Sequence, residues 1–550
     1  MDTKAFYNIF ANELLSCLLI LLIVSVAFAY QIKFLLQQKT RCISINIIDV
    51  VVGVTLLYCI TSMFINKEWE ADRYQYYQWV TVIVCYVAFR NYIFSKIYIL
   101  YVCCFLGIFQ SAIAICQKNG LLSSNHMTFD VTGSFDNPGP LGGYIAICCV
   151  LSIGLLYDTI KKKQNKISFV LIIGILIQLI GLYIADSRAA LLTLLTGSIT
   201  LFILVAAPKW GRKHKTTLFL VIAVLIGGIL LYQYRPTSAN SRLLIWRVSA
   251  DMIIDAPLTG HGIGAFPKKY MIYQAKYFKE RPKSPFLSVA DNTIYTFNEF
   301  VSIIIQKGII VFLLVLLLLY VTFKSPSKSW EDKTMKAGLM ALLTFSFFSY
   351  PFSVLPLVLF YSIFIGSIDN RIVYSFKTTH THNVILILYS ILIIQTSKDY
   401  LFLDNMIQSL STFYDRQSDI SLTQYRKLKF NTSFNDYYTT WLIQQPECID
   451  SERLRDIYPS CESYCMIGNY YLKHNDYELA EFYLRQASYM IPTRFRPQYY
   501  LWELYIFTEQ TEKAFQVAEH ILSMPLKIES TYTLRMKRRI REYYDSKASV

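Results

Sequence analysis

The chain reads as an all-α protein: a polytopic transmembrane helical bundle of about 12 spans, followed by a soluble α-helical repeat domain. Three observations predict this. Of 550 residues, 54% are hydrophobic and 17% charged, too little polar surface for a soluble chain of this length. Apolar runs near the roughly 20 residues that a bilayer requires recur up to about residue 400 and stop there. Beyond them, small and aromatic residues return at a period of about 34 residues. The division is therefore a transmembrane domain at 1–399 and a helical domain at 400–550.

The expected spans lie near 12–31, 45–65, 75–94, 97–117, 140–157, 167–185, 189–207, 216–233, 297–322, 335–350, 354–369 and 380–398. Lys and Arg set their orientation, because cytoplasmic loops collect them. Lys161-Lys162-Lys163 through Lys166 follow the fifth span, and Lys209 through Lys215 the seventh. Lys324 through Lys336 follow the ninth, and Arg371 with Lys377 the eleventh. These are alternate loops, so one side takes all of them, together with Lys33, Lys39 and Arg41. The loop 118–139, the hairpin at Asp186-Ser187-Arg188, the long segment 234–296 and the tail then face outward. Residues 14–29 have the form of a signal h-region ending in Ala27-Phe28-Ala29. Cleavage there would put the Lys33 loop outside, so an uncleaved first helix is preferred.

The net charge of +15 is largely absorbed by this sidedness, and no nucleic-acid motif accompanies it. Of 12 cysteines, Cys448, Cys461 and Cys465 fall in the tail. The rest lie in or beside apolar spans and read as small buried hydrophobes. An oxidising compartment permits Cys448 to pair with Cys461 or Cys465, or with neither. No metal-ligand spacing occurs, and no cofactor is expected.

In the tail, Tyr464, Ile467-Gly468, Tyr471, Ala480, Leu484, Ala487 and Pro492 have the spacing of a tetratricopeptide repeat. Small residues at Gly468 and Ala480 let two helices approach. A shift of about 34 residues reaches Trp502, Tyr505 and Ala514, a partial second unit. The alternative is a generic helical bundle.

Four polar features face outward. The first is Gly133-Ser134-Phe135-Asp136-Asn137-Pro138, a rigid turn that either shapes helix entry or lines a cavity. The second is Ser187-Arg188. An arginine at a membrane edge pairs, snorkels or meets a substrate, and its planar fork suits diphosphate oxygens. The third is Arg242, Trp246 and Arg247 on a helix over 241–254, then Pro257, Gly260-His261-Gly262 and Gly264. Arg242 and Trp246 share a face and Arg247 lies well round from Arg242. The glycine run follows no strand, which excludes a dinucleotide site. The fourth is Asp291-Asn292, then Asn298-Glu299-Phe300 and Gln306-Lys307-Gly308-Ile309. Glu299 is either a helix-start acid favoured by the dipole or a base at a cavity mouth.

In this order the four features resemble the O-antigen ligase-related family, over about residues 130–370. That family comprises ligases, O-antigen polymerases and protein O-oligosaccharyltransferases. The resemblance implies a metal-independent, inverting transfer from an undecaprenyl-diphosphate-linked glycan at the periplasmic face of the inner membrane. The acceptor is a lipid, a glycan or a protein. By the same resemblance Arg188 and Arg242 bind the diphosphate, with Arg247 and Asn137 as further substrate contacts. The family's His-Asn-Glu pattern becomes Phe297-Asn298-Glu299 here, and phenylalanine accepts no proton. Either the base is then Glu299 beside Asn298, or it is His261 or Asp291, or the acceptor differs. Two other readings compete: a polysaccharide exporter or flippase, and an inactive scaffold whose repeat domain binds a protein. An exporter calls for charges along mid-span positions, and the spans are nearly free of them.

Overall fold

In a computed structural model of the chain, the described residues are 42–65, 73–91, 95–126, 129–206, 236–377, 386–398, 459–524 and 531–548, with single residues between 14 and 36 and between 400 and 405. The expected span at 216–233, the Lys209–Lys215 loop, Cys448 and most of the first span lie outside them. The fold is all-α apart from one short strand pair. The chain forms two compact units. The first holds Met1–Tyr234, Phe297–Ile303 and Ile309–Ile420; the second holds Arg235–Thr296, Ile304–Gly308 and Ser421–Val550. The long segment 235–296 thus groups with the tail, where the sequence places it in the membrane domain.

The first unit contains α1 (Ile47–Ile65), α2 (Arg73–Asn91), α3 (Lys96–Lys118), α4 (Pro138–Lys161), α5 (Asn165–Ile184) and α6 (Arg188–Ala206). Most of α9 (Glu299–Lys324) belongs to it, as do α10 (Trp330–Phe348) and α11 (Leu355–Ser367). Among the described residues, 6 helices are long and apolar enough to cross a membrane, and Leu355–Ser367 and Leu386–Lys398 are shorter apolar helices. Helix α4 is the axis. Its first turn is preset by Pro138 after the capping residue Asn137, and nearly every side chain from Pro140 to Leu155 is buried. Small residues fix its register. Gly142 faces Ser187 and Ala190, Gly143 faces Phe345, and Gly154 faces Thr334. Buried polar contacts cross the core as well, among them Gln178 Nε2, which donates to Ser152 Oγ at 3.0 Å.

That register gives the bundle two distinct ends. One gathers the starts of α4, α6, α9 and α11 with the ends of α5 and α10. The other carries the basic turns. There Lys96 Nζ lies 2.5 Å from Asp332, Lys162 pairs with Asp158 at 2.7 Å, and Lys336 donates to the Phe323 carbonyl at 3.1 Å. The strands β1 (Cys42–Asn46) and β2 (Ile372–Lys377) pair antiparallel at this end.

The second unit contains α7 (Pro236–Asp255), α8 (Ala265–Glu280), α12 (Cys461–Lys473), α13 (Tyr477–Met490), α14 (Phe495–Phe507), α15 (Thr511–Ser523) and α16 (Thr531–Ala548). Helices α12 and α14 start at residues 461 and 495, α13 and α15 at 477 and 511, both offsets being 34. Ser460 and Asp476 cap the first two. Gly468 lies directly against Leu484, so the first hairpin closes without room for a Cβ. Cys461 and Cys465 are buried free thiols.

Candidate functional site

Two of the four polar features, with Asn298-Glu299-Phe300 of the fourth, meet at the non-basic end of the first unit. The turn before α4 is held by two glutamines of α3, seven residues apart and so on one helix face. Gln117 Oε1 accepts from the Thr132 and Gly133 amides at 3.0 and 2.7 Å, and its Nε2 donates to the Gly133 carbonyl at 3.0 Å. Gln110 Nε2 donates to Ser134 Oγ at 2.7 Å, and its Oε1 accepts from the Ser134 amide at 3.2 Å. Asn137 Oδ1 accepts from the Gly139 amide at 2.9 Å, which makes it the cap of α4.

The Ser187-Arg188 corner sits on the first turn of α4, through Gly142. Arg188 opens α6 and is half-buried. Phe345 covers Gly143, and two residues further along α10 Phe347 packs on Phe300 at 6.3 Å. This brings Asn298 and Glu299 to the same end.

Asn298 is 3% exposed, and its Oδ1 accepts from the Phe300 and Val301 amides at 3.0 and 3.2 Å. Glu299 is 5% exposed, and its Oε1 accepts from the Phe352 amide at 2.7 Å. Phe352 stacks on Tyr361 at 4.8 Å and on Trp79 at 6.0 Å. A carboxyl group walled by aromatic rings is expensive to charge without more partners. Phe297, at φ 51, takes the left-handed backbone that turns the chain into α9. Its ring meets Tyr350 edge-on at 5.4 Å.

The second unit holds Arg242, Arg247 and His261. Arg242 is half-buried on α7 and Arg247 is exposed on another face. Trp246 Nε1 donates to the Thr296 carbonyl at 3.0 Å.

The glycine run after α7 is a latch. Gly308 takes φ 78 and ψ 176 inside α9 and kinks it, so the carbonyls of Ile305 and Gln306 turn away from their helical partners. The His261 amide donates to Ile305 O at 2.7 Å, and the Gly262 amide to Gln306 O at 3.0 Å. Gln306 Oε1 also accepts from the Gly264 amide at 3.0 Å. A side chain at Gly308 would collide with the Leu258 carbonyl, and one at Gly260 with the Gln306 backbone.

His261 has both ring nitrogens engaged. Nε2 lies 2.7 Å from the Met252 carbonyl, an acceptor, so Nε2 carries the proton. Nδ1 then accepts from Lys269 Nζ at 3.1 Å. Burial lowers the imidazole's affinity for a second proton, and Lys269 lowers it further, while the Met252 and Asp255 contacts oppose them. A neutral ring in this setting pins the loop to α7 and has no lone pair to spare for an acceptor hydroxyl. Asp291 engages Arg494 at 3.1 Å.

The glutamines at positions 110 and 117 escape a motif reading. Their signal is an amide side chain facing glycine-rich backbone, visible only once the helices are packed.

Fold and site together define a multi-pass membrane protein with its polar groups gathered where helices begin. Residues 173–316 match the family model described as O-antigen ligase. The match contains Arg188, Arg242, Arg247, His261, Asn298 and Glu299; Asn137 lies before it. No curated protein matches the chain. The matched family is a glycosyl-transferring class, which supports a membrane function in glycan transfer in general terms.

Proposed function

We propose that the chain transfers a glycan from undecaprenyl diphosphate to an acceptor hydroxyl at the periplasmic face of the inner membrane, without a metal. One observation carries the reading. Arg188 and Glu299 belong to the end of the first unit opposite its basic turns. The positive-inside rule puts such turns in the cytoplasm and the other end outside.

In this mechanism the acceptor oxygen attacks the anomeric carbon. The bond from that carbon to the diphosphate oxygen breaks, and its electron pair leaves with the diphosphate. Arg188 neutralises the charge that develops there. The acceptor proton passes to Glu299 Oε2, since Oε1 is held by Phe352. A single displacement of this kind inverts the sugar. Asn298 holds the first turn of α9, and so the carboxyl, in place. The offset of 34 between helix starts supports reading α12 to α15 as tetratricopeptide-like, a surface suited to a protein partner.

The test uses membranes from a strain lacking the protein, supplied with variants. Arg188→Ala should lower transfer by about 10²-fold or more, and Arg188→Lys by less, since charge without the fork persists. Glu299→Gln should cost about 10²–10⁴-fold. Near-normal transfer in Arg188→Ala would exclude the diphosphate role. Whether label collects on lipid, on lengthening glycan or on protein identifies the acceptor.

A further inference from the structure

We propose that Tyr361 is a positioning residue for Glu299: it holds the ring of Phe352, and with it the backbone amide that binds the carboxyl. The proposal rests on the transfer reading above and adds a residue to its machinery. Every group involved belongs to the first unit.

Phe352 lies in a single 3₁₀ turn, Pro351–Ser353, between α10 and α11. The first amides of a helical turn have no partner within it. Pro351 has no N–H to offer, so Phe352 supplies the first donor of this turn, and Glu299 Oε1 accepts it at 2.7 Å. The residue before the turn, Tyr350, meets Phe297 edge-on with ring centroids 5.4 Å apart. Neighbouring residues 350 and 352 thus engage both residues that flank the cap Asn298, and the place of this turn fixes the place of the carboxyl.

A stack of rings holds the turn. Phe352 and Tyr361 lie 4.8 Å apart and 2° from parallel, and Trp79 of α2 closes the stack 6.0 Å from Phe352. Tyr361 is the anchored member. It is 8% exposed, and its hydroxyl bonds to Ser346, which is 1% exposed. The next contact sets the direction of that bond. Ser346 Oγ lies 2.6 Å from the Leu342 carbonyl, which only accepts, so the serine proton goes there. Tyr361 then donates to Ser346 Oγ. Parallel rings tolerate a range of offsets, and a hydrogen bond at the rim of one ring selects a single offset. The relay from Tyr361 through Ser346 to Leu342 thereby ties the stack to α10. Tyr361 acts on the carboxyl through Phe352, so it positions the base and is not itself catalytic. A misplacement of about 1 Å can cost roughly 10²-fold.

The full-length protein in lipid vesicles tests this, with an undecaprenyl-diphosphate oligosaccharide as donor. Tyr361→Leu should lower kcat by about 10²-fold, with KM for that donor within about twofold of wild type. In a Glu299→Gln background the same change should lower kcat by less than about twofold more, because the group it positions is gone. Tyr361→Phe keeps the stack and should cost less than about tenfold. Ser346→Ala leaves the buried phenol without its acceptor and should cost more than Tyr361→Phe. Adding Tyr361→Phe to Ser346→Ala should return kcat to the level of Tyr361→Phe alone. Should Tyr361→Leu not fold, this pair decides. The infrared carboxyl band that is lost in Glu299→Gln should move in Ser346→Ala and in Tyr361→Leu. Losses from Glu299→Gln and Tyr361→Leu that multiply in the double variant would overturn the assignment, as would a raised KM at unchanged kcat or an unmoved infrared band. Should wild type transfer nothing, the transfer reading falls and the infrared arm alone supports or overturns the positioning role.

Discussion

Glu299 and His261 exchange the roles that their residue types suggest. The imidazole is the usual base near neutral pH, but here its Nε2 proton is spent on the Met252 carbonyl and its Nδ1 on Lys269. The carboxyl group, with one oxygen on the Phe352 amide, is the group proposed for proton transfer. His261 makes a pH prediction with a definite sign. Its folded-state affinity for a proton lies below the ordinary value of 6.5. The unfolded chain therefore binds the proton first as pH falls. The stability that His261 contributes is complete above 6.5 and is lost as pH drops from there towards the lower folded value. Protease resistance of the 257–264 loop should fall in wild type as pH is lowered below about 6.5. His261→Asn should flatten that dependence, and a dependence that persists in it would assign the effect to another group.

At the scale of elements, α9 is one helix in sequence and two in geometry. The kink at Gly308 frees two carbonyls, and the Gly260–Gly264 loop takes them. The two glycine-bearing motifs are halves of one latch, which explains why glycine stands where it does without any appeal to nucleotide binding. Gly308→Ala forces a side chain to φ 78 and into the Leu258 carbonyl. Left-handed strain alone costs about 1–3 kcal/mol, and the collision adds to it. The variant should lower the melting temperature in detergent and expose the 257–264 loop to protease. An Ala variant as stable and as protected as wild type would show that the latch does not need the kink.

At the scale of the molecule, the two ends of the first unit carry different chemistry, and this asymmetry underlies the transfer reading. On a cysteine-depleted background, Asp186→Cys in intact cells should react with a membrane-impermeant thiol reagent only after the outer barrier is opened. Lys163→Cys should stay unreactive until the inner membrane is broken. The opposite pattern would reverse the bundle and remove Arg188 and Glu299 from the side where the donor is proposed to be used.

Much of this was legible without coordinates. Apolar run length, loop charge and the order of the four polar motifs depend on local composition, and they foretold the helical class, the two chemically distinct ends and the family. Helix starts in the tail also followed their small and aromatic residues. What only the tertiary structure decided rests on contacts between residues distant in sequence. The glutamines of α3 grip a turn some 16 positions later. Gly308 is paired with Leu258. Glu299 is buried by a turn 53 positions on, and Gln274 is pinned by a carbonyl 216 positions on. Hydrogen bonds of that reach leave no periodicity in the chain, because each is set by where a helix ends in space and not by what precedes it in sequence. So the motifs could be located from the residues alone, while their division into latch, cap and buried acid required the packed helices.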